Sequence, residues 1–174
     1  MLLNWQKNTK THINKVQDCF VFDIGGDVPC MIGYYAPEQT AILPATYMGE
    51  FYTMSCVTGV IHAVIPNGVL LSDHAFQGNQ LLKSVSFTND YEGTRIGEMA
   101  FQSCHNLSSF DMPNSITHIG SSAFYDCWSL ENVSVSNNIQ SIGSMAFDVR
   151  GYIVNMIEDS TETPIPNLNQ ILTS

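Results

Sequence analysis

The sequence has no long apolar run and no recognisable leader. No stretch approaches the roughly 18 apolar residues that cross a bilayer, so we expect no membrane insertion. The first residues, MLLNWQKNTKTHINKV, hold neither the apolar core of a signal peptide nor a small-residue cleavage site. On this evidence the protein either stays in the cytoplasm or is exported after the loss of a leader that this sequence does not include.

Positive charge is also scarce. The 174 residues include 6 Lys and Arg against 16 Asp and Glu, which gives a formal net charge of -10. Half of the basic residues (Lys7, Lys10 and Lys15) lie near the N-terminus, in a stretch without acidic residues, so the rest of the chain is still more acidic. An acidic surface repels phosphate backbones, and a nucleic-acid partner is therefore not expected.

Motifs that carry catalysis or bind metals are missing. The sequence has no CxxC pair, HxxxH pair, GxSxG elbow or phosphate-binding GK[ST]. Asp23 and Asp27 flank Gly25-Gly26, but no calcium-binding loop follows, and a simple turn is the better explanation. We therefore expect no enzyme activity, no cofactor and no metal. Surface positions are the simplest interpretation of the histidines, which are His12, His62, His74, His105 and His118.

A repeat occupies the centre of the chain instead. The dipeptide Ala-Phe ends at Phe76, Phe101, Phe124 and Phe147, so the phenylalanines are 25, 23 and 23 residues apart. Periods of this length are typical of solenoids, in which each repeat forms one coil. The longer first interval contains the segment 88–94, which we expect to bulge outward as a loop.

Each coil also contains an alternating apolar run, which predicts a short strand with one buried face. We expect Val85, Phe110 and Val133 to form one buried row, and the four repeat phenylalanines to form a second. An Ile-Gly pair precedes each regular Ala-Phe and is predicted to form a turn. The outward strand positions are small and polar: Ser84, Ser86, Ser109, Asp111, Asn132 and Ser134.

The segment 112–135, MPNSITHIGSSAFYDCWSLENVSV, resembles the BspA-like (Treponema pallidum type) leucine-rich-repeat family. Pro113, Ile119-Gly120, Ala123-Phe124 and Cys127 match the repeat motif. The pattern departs from the family at Asn79 and Arg150, which replace the cysteine, and at Leu71-Ser72, which replaces Ile-Gly. The resemblance implies a right-handed leucine-rich-repeat solenoid with parallel strands, one per repeat of about 23 residues, and an N-terminal hairpin cap.

This resemblance divides the chain into four parts. Residues 1–18 form an N-terminal extension whose apolar residues are spaced loosely like those of a cap helix. Residues 19–56 form an initial hairpin, with a turn at Gly25-Gly26, and a degenerate first repeat. Residues 57–150 hold the regular repeats, and residues 151–174 form a terminal transition segment.

Five cysteines (Cys19, Cys30, Cys56, Cys104 and Cys127) cannot all pair with one another. Cys104 and Cys127 lie at equivalent positions of neighbouring coils, where they form either a redox or metal pair or, as we expect, a buried packing ladder.

Four ring-bearing residues follow the repeat phenylalanines at loop positions, namely His105, Tyr125, Trp128 and Tyr152. One interpretation is an exposed ridge that anchors a partner, since tryptophan and tyrosine dominate binding hot spots. The other is that these rings shield the last coil from water. The sequence alone does not decide between the two.

Two functions remain in view. The resemblance implies a bacterial surface or secreted module that binds host or neighbouring-cell proteins and takes part in adhesion. The alternative is an intracellular structural or assembly module whose repeats space or dock other domains, with end-to-end self-association as one form of assembly.

Overall fold

Short strands and turns make up the part of the chain that the computed structural model describes, which is residues 14–17, 20–24, 27–34, 40–44, 52–67, 69–88, 91–135, 138–147 and 155–158. No helix occurs in these ranges. The strands of the described residues are β1 (Asn14–Gln17), β2 (Phe20–Asp23), β3 (Cys30–Tyr34), β4 (Thr40–Ile42), β5 (Thr53–Thr58), β6 (His62–Ile65), β7 (Ser84–Phe87), β8 (Arg95–Ile96), β9 (Ser109–Asp111), β10 (His118–Ile119), β11 (Asn132–Val135), β12 (Ser141–Ile142) and β13 (Asn155–Glu158).

One parallel strand from each coil builds the main sheet, in the order β13-β11-β9-β7-β6-β4. This confirms the predicted solenoid. The sheet begins in the segment predicted as a degenerate repeat and ends in the one predicted as a transition. The repeat architecture therefore extends past both bounds of the region 57–150.

Two ladders of apolar side chains fill the interior, as predicted. Val85, Phe110 and Val133 pair across the strands in one row and are buried. The rings of Phe76, Phe101, Phe124 and Phe147 stack in the second ladder, with centroids 5.5, 5.2 and 5.0 Å apart. Phe110 joins the ladders, because its ring meets those of Phe101 and Phe124 edge-on at 5.1 and 4.9 Å.

The Ile-Gly pairs do not form the turns that we expected. The isoleucines end β8, β10 and β12, which pair in parallel as a second, narrower sheet. The glycines are needed for close approach, since a Cβ on Gly120 would lie 2.6 Å from the backbone of Gly97 and Glu98. In the first coil Ser72 takes this position, and its hydroxyl donates to the Met54 carbonyl at 2.8 Å.

The repeat cysteines form a buried ladder. The Cys104 thiol donates to the Phe76 carbonyl at 3.1 Å, and the Cys127 thiol to the Phe101 carbonyl at 3.0 Å. Asn79 has the same position one coil earlier, where its buried amide donates to the Val60 carbonyl at 3.1 Å. The common function of this position is therefore to satisfy a backbone carbonyl of the preceding coil inside the core.

We expect Cys104 and Cys127 to resist a thiol reagent in the folded protein. Burial raises the pKa of the Cys127 thiol to about 12 and also raises the pKa of Cys104, whereas the thiolate is the reactive form. Mass spectrometry after labelling at about pH 8.5 should find both unmodified, with the exposed Cys56 as an internal control. Labelling of all three at one rate would contradict the packing role.

The insertion between the first two regular coils differs from our expectation. We predicted an outward bulge across 88–94, but Tyr91 turns inward and is 5% exposed. Its ring packs on Phe87 with centroids 4.7 Å apart. A large apolar ring in the insertion thus extends the core, and the loop is anchored at its middle.

Antiparallel strands precede the solenoid. β2 and β3 form the predicted hairpin, and β3 then pairs in parallel with β5. Their connection is 24–29, so it is longer than the two-residue Gly25-Gly26 turn that we predicted; both glycines lie outside the described residues. Asn14–Gln17 is a strand paired with β2, which corrects the helix prediction there. The rest of 1–18, and therefore the rest of that prediction, lies outside the description.

Deletion of residues 1–18 should lower the unfolding midpoint or promote aggregation. The deletion removes β1 and converts β2 into an edge strand with unpaired backbone groups, which favours pairing with other chains. Thermal unfolding and light scattering of the truncated and full chains test this. If the truncated chain has the same unfolding midpoint and the same light scattering as the full chain, the segment is a linker.

Candidate functional site

The turn after a repeat phenylalanine brings one residue from each of three neighbouring coils to the surface. Gln80, His105 and Trp128 all lie four positions beyond their phenylalanine. The rings of His105 and Trp128 stack with centroids 3.9 Å apart and planes within 5°. Two members of the predicted ridge, from neighbouring coils, are therefore in direct contact.

Asp126 holds this pair in place. Its Oδ1 accepts the indole N–H of Trp128 at 2.6 Å, and its Oδ2 lies 3.3 Å from both His105 Nε2 and Ser103 Oγ. The carboxylate is largely buried, with 14% of the side chain exposed. Charge-assisted hydrogen bonds of this kind are stronger than neutral ones, so the indole is fixed in orientation before any partner arrives.

The backbone conformation of Asp126 makes these contacts geometrically feasible. Its φ is 64°, in the left-handed region, and Ser103 and Gly78 have the same conformation at the equivalent position of the two earlier coils. Aspartate tolerates this region because its short side chain can hydrogen-bond locally. Asp126 is not among the site residues predicted from the sequence. The available signal was an acidic residue two positions before a tryptophan, at a position held by Gly78 and Ser103 in the two earlier coils.

Of the other two predicted ridge residues, the structure describes only Tyr125. Tyr125 is half-buried, its amide donates to the Ser122 carbonyl, and its own carbonyl accepts the Ser103 amide at 2.8 Å. Tyr152 lies outside the described residues. Trp128 is 49% exposed and His105 is half-buried, so the stacked pair presents a hydrophobic face to solvent.

The outward face of the main sheet is polar at its centre and more apolar at one end. Its central residues are those predicted, with Ser86, Asp111 and Asn132 exposed. Ile42 on β4 is 67% exposed and Val64 lies beside it on β6, so this end is apolar, which was not predicted from the sequence. Nothing in the described part of this face resembles the ring pair on the turns.

The histidines are more involved in local structure than predicted. His62 lies 2.8 Å from the Ser84 hydroxyl, and His74 lies 2.9 Å from the Gln77 side chain. Both are half-buried, as is His105, so only His118 among the described histidines is exposed. His12 lies outside the description.

Neither a metal-binding group nor a membrane-spanning helix is found among the described residues. No three His, Cys, Asp or Glu side chains there come together as a metal site. Likewise, those ranges contain no helix long and apolar enough to cross a bilayer.

Comparison with known proteins adds a family match and several structural matches. Residues 50–167 match the BspA type leucine rich repeat region in six copies, whereas no curated protein matches the sequence significantly. Among solved structures, the T. pallidum leucine rich repeat protein is similar at 23% identity with a TM-score of 0.58, covering 78% of this chain and 66% of that one.

Two further structures are similar. A leucine-rich repeat protein from Bacteroides ovatus shares 23% identity over 66% of this chain and 35% of that one, with a TM-score of 0.50. The pneumococcal vaccine antigen PcpA shares 16% identity over 81% and 48%, with a TM-score of 0.53. This chain thus spans between about a third and two thirds of the length of these three proteins. At such identities the likeness establishes the fold.

Stacked coils with one parallel strand each, closed by ladders of phenylalanine and cysteine, define the class as a leucine-rich-repeat solenoid. Because the family model covers more than half of the sequence, the chain belongs to the BspA-type leucine-rich-repeat family. The resemblance seen in the sequence is therefore confirmed. Repeat families of this kind are generally non-catalytic and serve as protein-interaction modules, since stacking gives them extended binding surfaces.

Proposed function

We propose that this chain is a non-catalytic protein-binding module that acts at the cell surface or after secretion, and that its partner contacts the ring ridge of His105, Tyr125, Trp128 and Tyr152. The observation that carries the proposal is the exposed His105–Trp128 stack fixed by Asp126. Large rings that are already ordered lose little conformational entropy when a partner covers them. The name of the similar protein PcpA, a vaccine antigen, is consistent with this location.

The partner should carry a basic surface. The sequence has a net charge of -10, so a positively charged protein would be steered toward it and would associate more slowly as salt is added. The contrast with the strand face supports the choice of site, because the short polar side chains at the centre of that face offer little apolar area for burial.

Trp128→Ala should weaken partner binding by about 2 kcal/mol or more, the threshold that defines a hot spot. The experiment is to capture partners from extracellular proteins with the immobilised chain, identify one, and measure its affinity by surface plasmon resonance. The unfolding midpoint of the variant should change little, since the ring is half exposed.

The matched control is the pair Ser109→Arg and Ser134→Arg, which places bulk and charge on the strand face without altering the ridge. Loss of binding in this control, with binding retained in Trp128→Ala, would assign the site to the strand face and refute the ridge.

The second candidate is an intracellular structural or assembly module whose coils dock other domains or associate end to end. Sedimentation of the purified chain over a range of concentrations separates the two. Concentration-dependent dimers that survive Trp128→Ala, together with no captured extracellular partner, would favour the assembly function.

A further inference from the structure

Three side chains with sulfur or nitrogen donors meet around the amide of Gln77. The Gln77 Oε1 atom lies 2.9 Å from His74 Nδ1 and 3.8 Å from Cys56 Sγ. At the other end of the same amide, Gln77 Nε2 lies 3.9 Å from Met99 Sδ. Cys56 is exposed and the other three residues are half-buried. A thiol, an imidazole and a thioether therefore border one small volume at the surface.

The stacking of the coils brings these side chains together. The Cys56 amide donates to the His74 carbonyl at 2.7 Å, and the His74 amide donates to the Glu98 carbonyl at 2.8 Å. His74 and Met99 hold the same repeat position, one residue before the Ala-Phe dipeptide, and both have a left-handed backbone, with φ of 61° and 52°. Because hydrogen bonds between coils set their spacing, the three donors are close together before any ligand binds.

The chemistry of the donors selects a soft metal ion. The described residues hold no metal group made of His, Cys, Asp and Glu alone, but the methionine thioether is also a metal ligand, and thiolate and thioether together favour Cu(I). Zinc takes cysteine, histidine and carboxylate ligands, whereas calcium and magnesium take oxygen. The net charge of -10 adds a general attraction for a cation.

We infer that Cys56, His74 and Met99 form a binding site for Cu(I). The Gln77 amide lies between the donors, and it makes room for the ion by turning toward the Gln102 side chain, to which its Nε2 already donates. The Cys56 thiol releases its proton to solvent as the sulfur coordinates, because the thiolate is the ligand. This site is independent of the proposed function, since its residues precede the repeat phenylalanines whereas the ring ridge follows them.

A titration of the reduced full chain with Cu(I) under anaerobic conditions tests the inference, with a chromophoric copper chelator as competitor. One ion per chain should bind in preference to the chelator. X-ray absorption of this complex should show two sulfur neighbours and one nitrogen neighbour of copper, at about 2.0–2.3 Å as in other thiolate and imidazole sites. Failure to compete with the chelator, or a copper ion with a single sulfur neighbour, would overturn the inference.

Three ligand variants identify the site, namely Cys56→Ser, His74→Asn and Met99→Leu. Asparagine tolerates the left-handed backbone of His74, and leucine nearly conserves the volume of Met99. Each variant should weaken Cu(I) binding at least about tenfold, because even the loss of a group that only orients a ligand weakens metal binding about 10–100-fold. Circular dichroism checks that each variant is folded.

The matched controls are Cys30→Ser, His118→Asn and Met145→Leu. Met145 holds the same repeat position as Met99, has a φ of 55° and is 54% exposed, so its exchange reports the general effect of losing a surface methionine. Each control should change Cu(I) affinity less than about twofold, as expected for residues outside the site. Equal losses in ligand and control variants, or a loss confined to Cys56→Ser, would reduce the binding to an adventitious thiol and overturn the inference.

Gln77→Ala tests the displacement of the amide. The variant keeps all three donors but removes the group that lies between them, so the ion no longer has to bind a less populated conformation. Cu(I) should therefore bind at least about twofold more tightly than to the unaltered chain. Weaker binding would show that Gln77 itself supports the ion, and it would contradict the site as proposed.

Discussion

Phe124→Ala is expected to destabilise the fold by about 3–5 kcal/mol, the range for loss of a fully buried aromatic side chain. Phe124 has no exposed surface, and its ring lies between those of Phe101 and Phe147, 5.2 and 5.0 Å away. Phe110 contacts it edge-on at 4.9 Å. The substitution therefore removes apolar burial and leaves a cavity that three neighbouring rings border.

Urea unfolding followed by circular dichroism measures this effect, and for a chain of this size each kcal/mol also lowers the melting temperature by roughly 2–4 °C. Phe147→Ala is the matched control, because the same change is made at the end of the ladder, where the ring is only half-buried. Phe147→Ala should lower the free energy of unfolding clearly less than Phe124→Ala does. An unchanged midpoint for Phe124→Ala would refute the stacked ladder.

Gly120→Ala is expected to cost about 3 kcal/mol or more, at or beyond the upper end of the usual range for overpacking. The added Cβ would lie 2.6 Å from the Glu98 nitrogen and from the Gly97 carbonyl carbon. These are backbone atoms of the preceding coil, which cannot rotate away as a flexible side chain would. The coils must separate, and the hydrogen bond from the Gly120 amide to the Ile96 carbonyl, 2.8 Å long, must lengthen.

Gly78→Ala separates this clash from the general cost of replacing a glycine. Gly78 has a φ of 74°, and an added Cβ there would meet no atom within 4 Å beyond its chain neighbours. Gly78→Ala should therefore lower the free energy of unfolding only by about 1–2 kcal/mol, the strain of a side chain in the left-handed region. The comparison uses the same urea titration. A smaller loss for Gly120→Ala than for Gly78→Ala would contradict the close approach of the coils.

The repeating part of the fold could be predicted because equivalent residues of a solenoid meet in space. The recurrence of Phe101 and Phe124, and of Cys104 and Cys127, fixed both the period and the neighbours of each side chain. One residue per coil at a constant phase is enough to predict a ladder. Contacts between identical positions required no knowledge of the tertiary structure beyond the stacking itself.

Features that occur only once were harder to predict. Tyr91 lies in an insertion without a counterpart in other coils, so its inward direction had no repeat to reveal it. Asp126 stands at the repeat position that Ser103 and Gly78 hold in the two earlier coils, so it does not recur. Its contacts depend on a left-handed backbone conformation and on two rings that come from different coils. The glycine of each Ile-Gly pair was assigned to a turn because the sequence does not show how closely the coils approach.

The most direct test of the ridge is the accessibility of Trp128 itself. Trp5→Phe leaves Trp128 as the one tryptophan of the sequence, and its fluorescence quenching by acrylamide is then measured with and without a saturating partner. A ring at the centre of the interface is excluded from solvent, so the quenching constant should fall by at least about half. A quenching constant that stays unchanged at saturation would show that the partner binds elsewhere and contradict the ridge as the binding site.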